Sequence, residues 1–179
     1  MLKGEKVLLR PMKVEDIPSI HEHSQNPELW VLNCDYPHVS PLESAHAFYE
    51  SWTKFDDNMA PFAIEADGKY IGNCLLMNLK SRNRNSELGI VIGDRAYWGR
   101  GYGRDAVKLL LDYGFHYIGL HRIEAFPNER NLRSIGCLKA CGFLEEGRAR
   151  KVLWLAGEWV DVVQLSILSE EWEAANVAK

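Results

Sequence analysis

The feature that most constrains this chain is a stretch with three glycines at alternate positions, Trp98-Gly99-Arg100-Gly101-Tyr102-Gly103-Arg104-Asp105-Ala106. It lies between a predicted strand, residues 86–93, and an amphipathic pattern that ends near residue 118. Because glycine has no side chain, the backbone N–H groups of this stretch can approach a ligand closely where a helix begins. The unpaired N–H groups and the dipole of that helix favour an anion. The stretch therefore predicts a phosphate-binding loop.

The composition is typical of a globular protein, with 46% hydrophobic and 26% charged residues, and we expect a single domain over residues 1–179. The formal net charge is -4 and the Lys and Arg residues are scattered, so the basic surface typical of nucleic-acid binding is not expected. Residues 1–6 do not resemble a secretion signal, and no run approaches the ~18 apolar residues of a membrane span. We expect a cytoplasmic protein without membrane or nucleic-acid partners.

The cysteines and histidines do not form a metal-binding pattern. Of the four cysteines, Cys34, Cys74, Cys137 and Cys141, the last two are close, at helical i,i+4 spacing, but no pair of histidines lies nearby. The six histidines do not show the spacing of known zinc motifs. We interpret the cysteines as small buried apolar residues and expect no metal.

Periodicity and turn residues predict a mixed α+β chain whose first half is largely an antiparallel meander. The predicted strands cover residues 6–12, 60–66, 69–79, 86–93, 120–126, 148–155 and 158–168. The predicted helices cover residues 14–25, 40–55, 103–118 and a short segment capped by Asn131 and closed by Gly142. Ser40-Pro41-Leu42-Glu43 predicts a capping box at the start of the second helix, and Asp67-Gly68 predicts a hairpin turn.

Several kinds of phosphate site compete for the glycines. No Gly-Lys-Ser/Thr closes the loop, which excludes the P-loop of NTPases. Gly101-x-Gly103-x-x-Ala106 matches a dinucleotide-binding fingerprint, but five residues separate it from the preceding strand, and the acidic residue would be Glu124, in the middle of the next strand. NAD binding is therefore not favoured. A glycine turn without a ligand would explain one glycine, but hardly three alternating ones.

The loop and several further segments resemble those of the GNAT-fold acetyltransferases. The family motif is Gln/Arg-x-x-Gly-x-Gly/Ala between a strand and a helix, and Trp98 here takes its first position. The resemblance also rests on Leu9-Arg10-Pro11, the strand of Glu87, Tyr97-Trp98-Gly99, Asn131-Leu132-Arg133-Ser134, Cys141-Gly142-Phe143 and the closing hairpin through Asp161. Together these segments are similar to the RimJ/RimL-like branch, which acetylates ribosomal-protein N-termini, and to its relatives that acetylate small amines.

The resemblance implies a GNAT fold of the α+β class, with a central, mostly antiparallel sheet, a splayed parallel strand pair and flanking helices. It implies acetyl-CoA as the acetyl donor. In such a fold the free backbone groups near Ile90, Val91 and Ile92 hold the pantetheine arm, as an added strand would. The remaining cofactor contacts that the resemblance implies are Trp98, Gly99, Arg100, Gly101, Tyr102, Gly103 and Arg104 at the pyrophosphate, with Asn131 and Ser134 near the reactive end.

Acetylation of an amine needs its neutral form, yet an alkyl amine with a pKa near 10 is only about one part in a thousand neutral at pH 7. Supplying that form is worth about 4 kcal/mol, which justifies a general base. From the resemblance we assign this role to Glu87. The competing interpretation is an ordinary strand carboxylate that faces solvent or pairs with Arg82 or Arg84.

The other steps have weaker candidates. The N–H of Val91, or of a neighbour on the splayed strand, would stabilise the oxyanion. Many GNAT enzymes protonate the leaving thiolate with a tyrosine, but Leu138 takes that position here, so the hydroxyl of Ser134 becomes the candidate acid. Because the thiol of coenzyme A is acidic enough to leave as thiolate, an acid is not required. Tyr102 and Asp161 are reserve candidates.

We expect the acceptor opposite the cofactor, between residues 30–36, the helix after Ser40 and the final hairpin. Glu28 and Asp35 would suit a cationic amine there, unless they are ordinary surface charges. The preferred function is N-acetylation of a small-molecule amine or a protein N-terminal α-amine by direct attack in a ternary complex. The alternatives are a non-catalytic acyl-CoA-binding or sensing module and a nicotinamide oxidoreductase. Members of the family commonly form homodimers, which makes a homodimer one expectation for the oligomeric state of this chain.

Overall fold

A computed structural model describes residues 1–34, 40–54 and 56–176. The strands are β1 (Leu2–Lys3), β2 (Leu8–Arg10), β3 (Met59–Ala66), β4 (Lys69–Met77), β5 (Asn85–Ile92), β6 (Arg122–Ala125), β7 (Leu144–Leu155) and β8 (Glu158–Leu168). The helices are α1 (Ile17–Ser24), α2 (Pro27–Leu32), α3 (Leu42–Thr53), α4 (Tyr102–Asp112), α5 (Leu132–Lys139) and α6 (Ser169–Asn176). Short 3-10 turns cover Val14–Asp16 and Arg95–Tyr97, and a π-helical segment, Tyr113–Ile118, extends α4.

The strands form one sheet in the order β1-β2-β3-β4-β5-β6-β8-β7. Among the described strands, β5 and β6 are the parallel pair, and all other neighbours are antiparallel. A parallel neighbour needs a crossover connection, and the glycine stretch with α4 supplies it. The mixed, mostly antiparallel sheet with flanking helices confirms the predicted fold class.

The parallel pair separates soon after it forms. β5 and β6 are in register at Asn85 with Arg122, Ser86 with Ile123 and Glu87 with Glu124. β5 continues to Ile92 beside β4, whereas β6 continues beside β8. The edge of β5 that faces β6 is therefore unpaired along its last five residues, which leaves backbone N–H and C=O groups available to a ligand.

Two apolar clusters lie on opposite faces of the sheet. The main cluster joins α4, α5 and α6 to the sheet, and Val107, Leu110 and Leu111 of α4 are fully buried, as the periodic pattern predicts. The smaller cluster joins α1 and α3 to β3 and β4. Neighbouring residues Ala63 and Ile64 belong to different clusters, as expected for the alternating side chains of a strand.

Local turn and cap chemistry is partly as predicted. Asp67 and Gly68 both have positive φ, 51° and 73°, in the turn between β3 and β4, which confirms the predicted hairpin. Asn131 caps α5 by accepting a hydrogen bond from the Ser134 amide at 3.0 Å, also as predicted. At the other end, the amides of Gly142 and Phe143 donate to the carbonyls of Lys139 and Leu138, the bond pattern of a Schellman motif.

The capping box predicted for α3 is wrong. Pro41, not Ser40, is the N-cap residue, and no side chain accepts a hydrogen bond there. The helix begins one residue later than predicted, so Glu43 lies at N2, where it cannot close a capping box. The helices α2 and α6 and the strand β1 were not predicted, and the strand predicted over residues 6–12 is only Leu8–Arg10.

A buried ion-pair network fixes the start of the chain against the sheet. The guanidinium of Arg10 donates from both Nη atoms to Asp16, at 2.8 Å each, and from Nε to Glu65 at 2.5 Å. Arg10 and Asp16 are 3% and 5% exposed. Burial alone would raise the pKa of Asp16, but the hydrogen bonds from Arg10 and the Lys13 amide lower it below its ordinary value.

We expect Asp16→Ala to lower the free energy of unfolding by about 3–5 kcal/mol, because it leaves the Arg10 charge buried with one partner instead of two. Since the folded-state pKa of Asp16 is depressed, its contribution is present above the unfolded-state pKa and is lost as the pH falls through the folded-state pKa. Urea unfolding at neutral and acidic pH measures both effects. The exposed neighbour serves as control: if Glu15→Ala destabilises equally, the network is not the cause.

Candidate functional site

A cavity of about 270 Å³ lies where β5 separates from β6. Its walls come from the end of β5, the glycine stretch, the first turns of α4 and α5, and α2. The sequence-predicted residues that line it are Ile90, Val91, Ile92, Trp98, Gly99, Gly101, Gly103, Arg104, Asn131 and Ser134. Residues that line it without having been assigned a contact are Leu29, Leu32, Asn33, Tyr97, Val107, Arg133, Cys137 and Leu138. The predicted residues Glu87, Arg100 and Tyr102 do not line the cavity.

The glycine stretch forms a left-handed turn into α4. Gly99 and Gly101 have φ of 68° and 88°, a backbone region that other residues adopt at a cost, and Gly101 is the N-cap residue of α4. The first amides of α4 have no partner within the helix, and the residues at this positive end of the helix dipole, Gly101, Gly103 and Arg104, line the cavity. This geometry fits a phosphate group.

The side chains of Arg100 and Tyr102 are engaged on the protein surface. Arg100 Nη1 donates to the carbonyl of Ala96 at 3.1 Å. The ring of Tyr102 packs edge-on against Tyr97 at 4.8 Å, and Lys6 Nζ lies 5.4 Å from its centroid. Any contact of these two residues with a ligand in the cavity would therefore come from their backbone.

Trp98 ties the glycine stretch to the end of β5. Its indole Nε1 donates to the carbonyl of Ile92 at 2.6 Å. Its ring lies beneath two guanidinium groups, with Arg133 at 4.1 Å and Arg95 at 5.3 Å from the centroid. The tryptophan at the first motif position thus satisfies a carbonyl at the open edge of β5 and forms part of the cavity wall.

Glu28 links the two arginines that stack on Trp98. Its carboxylate binds Arg95 at 2.9 Å and Arg133 at 2.7 Å, and thereby fastens the start of α2 across the cavity. The sequence suggested that Glu28 could bind a cationic acceptor, whereas in the structure two cations already hold it. Asp35, the second carboxylate suggested for the acceptor, lies outside the described residues, as does Tyr36.

The other end of α2 is held by Asn128, which sequence reasoning missed. This residue is fully buried, and its Nδ2 donates to the carbonyls of Val31 at 2.8 Å and Leu32 at 3.3 Å. Asn131 Nδ2 also donates to Leu32, at 3.1 Å. The two side-chain amides thus bind the last carbonyls of α2, which lie beyond the regular hydrogen bonds of the helix. No pattern in the sequence relates residues so far apart.

The first turn of α5 brings Asn131 and Ser134 to the cavity. Asn131 both caps α5 and binds α2, so its side chain is fixed from two directions. Ser134 is half-buried and lines the cavity. One turn later, Leu138 is 2% exposed and packs into the main apolar cluster. It supplies no hydroxyl at that position.

Glu87 lies on β5 just before the strand pair separates. Because Leu88 belongs to the main apolar cluster, Glu87 lies on the opposite face of the sheet, and Glu124 lies beside it on β6 by register. Burial, and next the negative charge of Glu124, raise the pKa of Glu87 above its ordinary value. Arg82 and Arg84, the suggested partners, do not contribute to this shift.

Charged groups surround Glu124 on the same face. Arg122 donates to Glu124 at 2.8 Å, to Glu146 at 2.5 Å and to the hydroxyl of Ser166 at 2.9 Å. Its hydrogen bond lowers the pKa of Glu146 to about 2. The face beside the separated strands therefore carries three carboxylates and one guanidinium.

Asp161, a reserve candidate for catalysis, has a structural role. Its Oδ1 accepts a hydrogen bond from the amide of Lys151 at 2.8 Å. Lys151 has a φ of 50° and lies where the register of β7 and β8 shifts between Ala149 and Leu153. The polar residue within an apolar strand pattern thus supports a bulge in the partner strand.

Among the described residues, no group of three or more His, Cys, Asp or Glu side chains is arranged to hold a metal ion. Within the same part of the chain, no helix is both long and apolar enough to cross a membrane.

Comparison with known proteins gives one consistent family. Residues 6–144 match the family described as "Acetyltransferase (GNAT) domain". The chain is 32% identical over 182 residues to "Probable N-acetyltransferase YjcK" of Bacillus subtilis (strain 168), covering 97% of this chain and 99% of the relative. It is 30% identical over 173 residues to "Putative ribosomal N-acetyltransferase YdaF" of the same organism, covering 93% and 91%.

A crystal structure of spermidine N-acetyltransferase from Vibrio cholerae, in complex with CoA and spermine, superposes with a TM-score of 0.84. The superposition covers 94% of this chain and 99% of that one, at 24% sequence identity. At this level of identity the likeness establishes the fold, and the particular substrate does not transfer with it.

We expect Asn128→Ala to lower the free energy of unfolding by about 1–3 kcal/mol, because it removes a buried amide that donates to the Val31 and Leu32 carbonyls and accepts from the Arg130 amide. Hydrogen exchange should accelerate at the amides of α2 more than in the sheet. Urea unfolding and exchange mass spectrometry measure the two effects. The exposed Asn83 provides the control, since Asn83→Ala should change stability by no more than about 0.5 kcal/mol. Equal effects of the two substitutions would contradict the proposed anchoring of α2.

Proposed function

The chain belongs to the GNAT acetyltransferase family, whose acetyl donor is acetyl-CoA, and we propose that it acetylates a cationic primary amine by direct attack within a ternary complex. The observation that carries the proposal is the unpaired edge of β5, which runs into the cavity beside the glycine stretch. A backbone edge and an anion-binding helix start, placed end to end, suit an amide-containing arm that ends in a pyrophosphate.

In the proposed binding mode, Ile90, Val91 and Ile92 line the pantetheine arm, and Ile90 and Ile92 present their backbone groups to it at the open edge. The backbone N–H groups from Gly99 to Arg104 bind the pyrophosphate, with Arg100 and Tyr102 contributing through their main chain. Trp98 acts indirectly, because its hydrogen bond to Ile92 and its stacking with Arg133 fix the loop beside the strand. Asn131 and Ser134 contact the cofactor from α5.

Glu87 is the proposed general base, acting through water because it lies outside the cavity wall. Its raised pKa supports this role, since a carboxylate with a higher pKa removes a proton more effectively near neutral pH. Because the N–H of Val91 faces Asn73 on β4, the proposed oxyanion donor is the N–H of a neighbour on the open edge, Ile90 or Ile92. Ser134 is the proposed proton donor to the thiolate, an optional role because Leu138 replaces the tyrosine that many members use.

The charges beside the separated strands support a cationic acceptor. Glu87, Glu124 and Glu146 lie near one another on one face, and Arg122 offsets only part of their charge. The acceptors named for the relatives differ, with a ribosomal one for YdaF and spermidine for the Vibrio enzyme. We propose a small polyamine-like molecule or a protein N-terminal α-amine as acceptor, and membership of the RimJ/RimL-like branch.

The proposal predicts saturable binding of acetyl-CoA by calorimetry and release of free thiol when the correct amine is added. The panel should include polyamines, amino acids, aminoglycosides and N-terminal peptides of ribosomal proteins. Absence of saturable binding would refute the proposed cofactor. Tight binding without thiol release across the panel would instead favour the non-catalytic module.

A matched pair of glycine variants tests the loop itself. Gly101→Ala and Gly68→Ala both place a side chain at positive φ, and both should destabilise the protein by about 1–2 kcal/mol. Since Gly68 lies in the hairpin turn, away from the cavity, only Gly101→Ala should weaken the binding of acetyl-CoA. Equal binding by the two variants would remove the loop from the cofactor site.

The pH profile of kcat/KM tests the base. Glu87→Gln should lower kcat about 10²–10⁴-fold and remove the acidic limb of the profile. Glu124→Gln removes a like charge beside Glu87, so the pKa of Glu87 should fall and the acidic limb should move to lower pH. The control is Glu145→Gln on β7, where the carboxylate is held by Lys139 and Arg148. An unchanged profile in Glu87→Gln would refute the assignment.

A further inference from the structure

Two thiols lie against the first turn of α4, at the wall of the cavity. Cys137 of α5 is half-buried and lines the cavity, and a Cβ atom added to Gly103 would lie 3.9 Å from its Sγ. Cys141, four residues later, is 5% exposed, and its Sγ lies 3.8 Å from the carbonyl of Arg104. Both sulfur atoms therefore lie beside the helix start to which we assign the pyrophosphate.

The two thiols are not equivalent. A hydrogen bond from Cys141 lowers the pKa of Cys137, against the effect of burial, and the charge of Arg104 lowers it further. The pKa of Cys141 rises correspondingly, through the same hydrogen bond and through burial. The thiol with the lower pKa is therefore the one that lines the cavity. Burial raises the pKa of Cys74, which is fully enclosed and has no access to the cavity.

We propose that Cys137 is a site of thiol–disulfide exchange with low-molecular-weight disulfides, such as glutathione disulfide, and that the resulting adduct blocks the acetyl-CoA cleft. The proposal rests on the proposed function for its consequence, because the blocked cleft is the assigned cofactor site. Gly103 lies close to this sulfur, since a Cβ atom added there would contact both Cys137 and Ile92.

The exchange conserves atoms and electrons. The Cys137 thiolate attacks one sulfur of the disulfide, a mixed disulfide forms, the original S–S bond breaks, and one thiolate leaves and takes a proton from water. Cys141 can then attack the Cys137 sulfur and release the second thiol, which leaves an intramolecular disulfide. Residues four apart in a helix have Cα atoms about 6.2 Å apart, within the range that a disulfide spans.

The sharpest test uses Cys141→Ser, which keeps a hydrogen-bond donor beside Cys137 but removes the resolving thiol. After treatment with glutathione disulfide, this variant should carry one glutathionyl group, mapped to Cys137 by peptide mass spectrometry. Calorimetry should show acetyl-CoA binding weakened by about tenfold or more, a change of ~1.4 kcal/mol or more. Dithiothreitol should restore it, and acetyl-CoA added beforehand should protect Cys137.

The variants Cys137→Ser and Cys137→Ala provide the control, each compared with itself before and after treatment. Neither should gain an adduct in the cleft or lose acetyl-CoA affinity on treatment. The proposal would be overturned by an adduct on Cys34 instead of Cys137, by unchanged affinity in the modified protein, or by absence of protection. Binding by the reduced protein is measured separately: its failure would refute the proposed cofactor, while mass mapping would still decide the reactivity of Cys137.

Discussion

The structure depends on the loss of backbone pairing between β5 and β6 after Glu87 and Glu124. A sheet normally satisfies the N–H and C=O groups of every inner strand, so an unpaired inner edge is costly unless another partner binds it. Here the opening lies next to the glycine turn, and Trp98 satisfies one of the free carbonyls, that of Ile92. The end of β5 and the start of α4 line the same cavity, where we propose that an elongated ligand binds.

The same separation sets the electrostatics of the proposed chemistry. Parallel register places Glu87 and Glu124 side by side on one face, at the last paired position. The negative charge of Glu124 disfavours ionisation of Glu87, and Arg122 forms its ion pair with Glu124 rather than with Glu87. Of the two carboxylates, Glu87 is therefore the one that we propose as the base. The last paired position of β5 and β6 thus also raises the pKa of the proposed base, because it places Glu124 beside Glu87.

The features that sequence reasoning predicted are those encoded within a few residues. Local geometry predicts the helix start at the glycines, the Asp67-Gly68 hairpin, the Asn131 cap and the buried stripe of α4. The structure confirms each of these elements. The capping box predicted at Ser40 is wrong because α3 begins one residue later than predicted, and a capping box depends on which residue is the N-cap. The splayed strands were expected from the family resemblance and not from a local pattern, because the pairing of β5 with β6 joins segments more than thirty residues apart.

The part of the site that could not be predicted from the sequence is α2. The reason is that this helix is not stable by itself. A helix of six residues is too short to be stable alone, so it exists through contacts with distant residues. Glu28 binds Arg95 and Arg133 at one end, while Asn128 and Asn131 bind its last carbonyls at the other. Since α2, Asn131 and Arg133 also line the cavity, a ligand that contacts them stabilises this arrangement by mass action. Cofactor affinity and the order of α2 are therefore coupled, although no local sequence pattern encodes either contact.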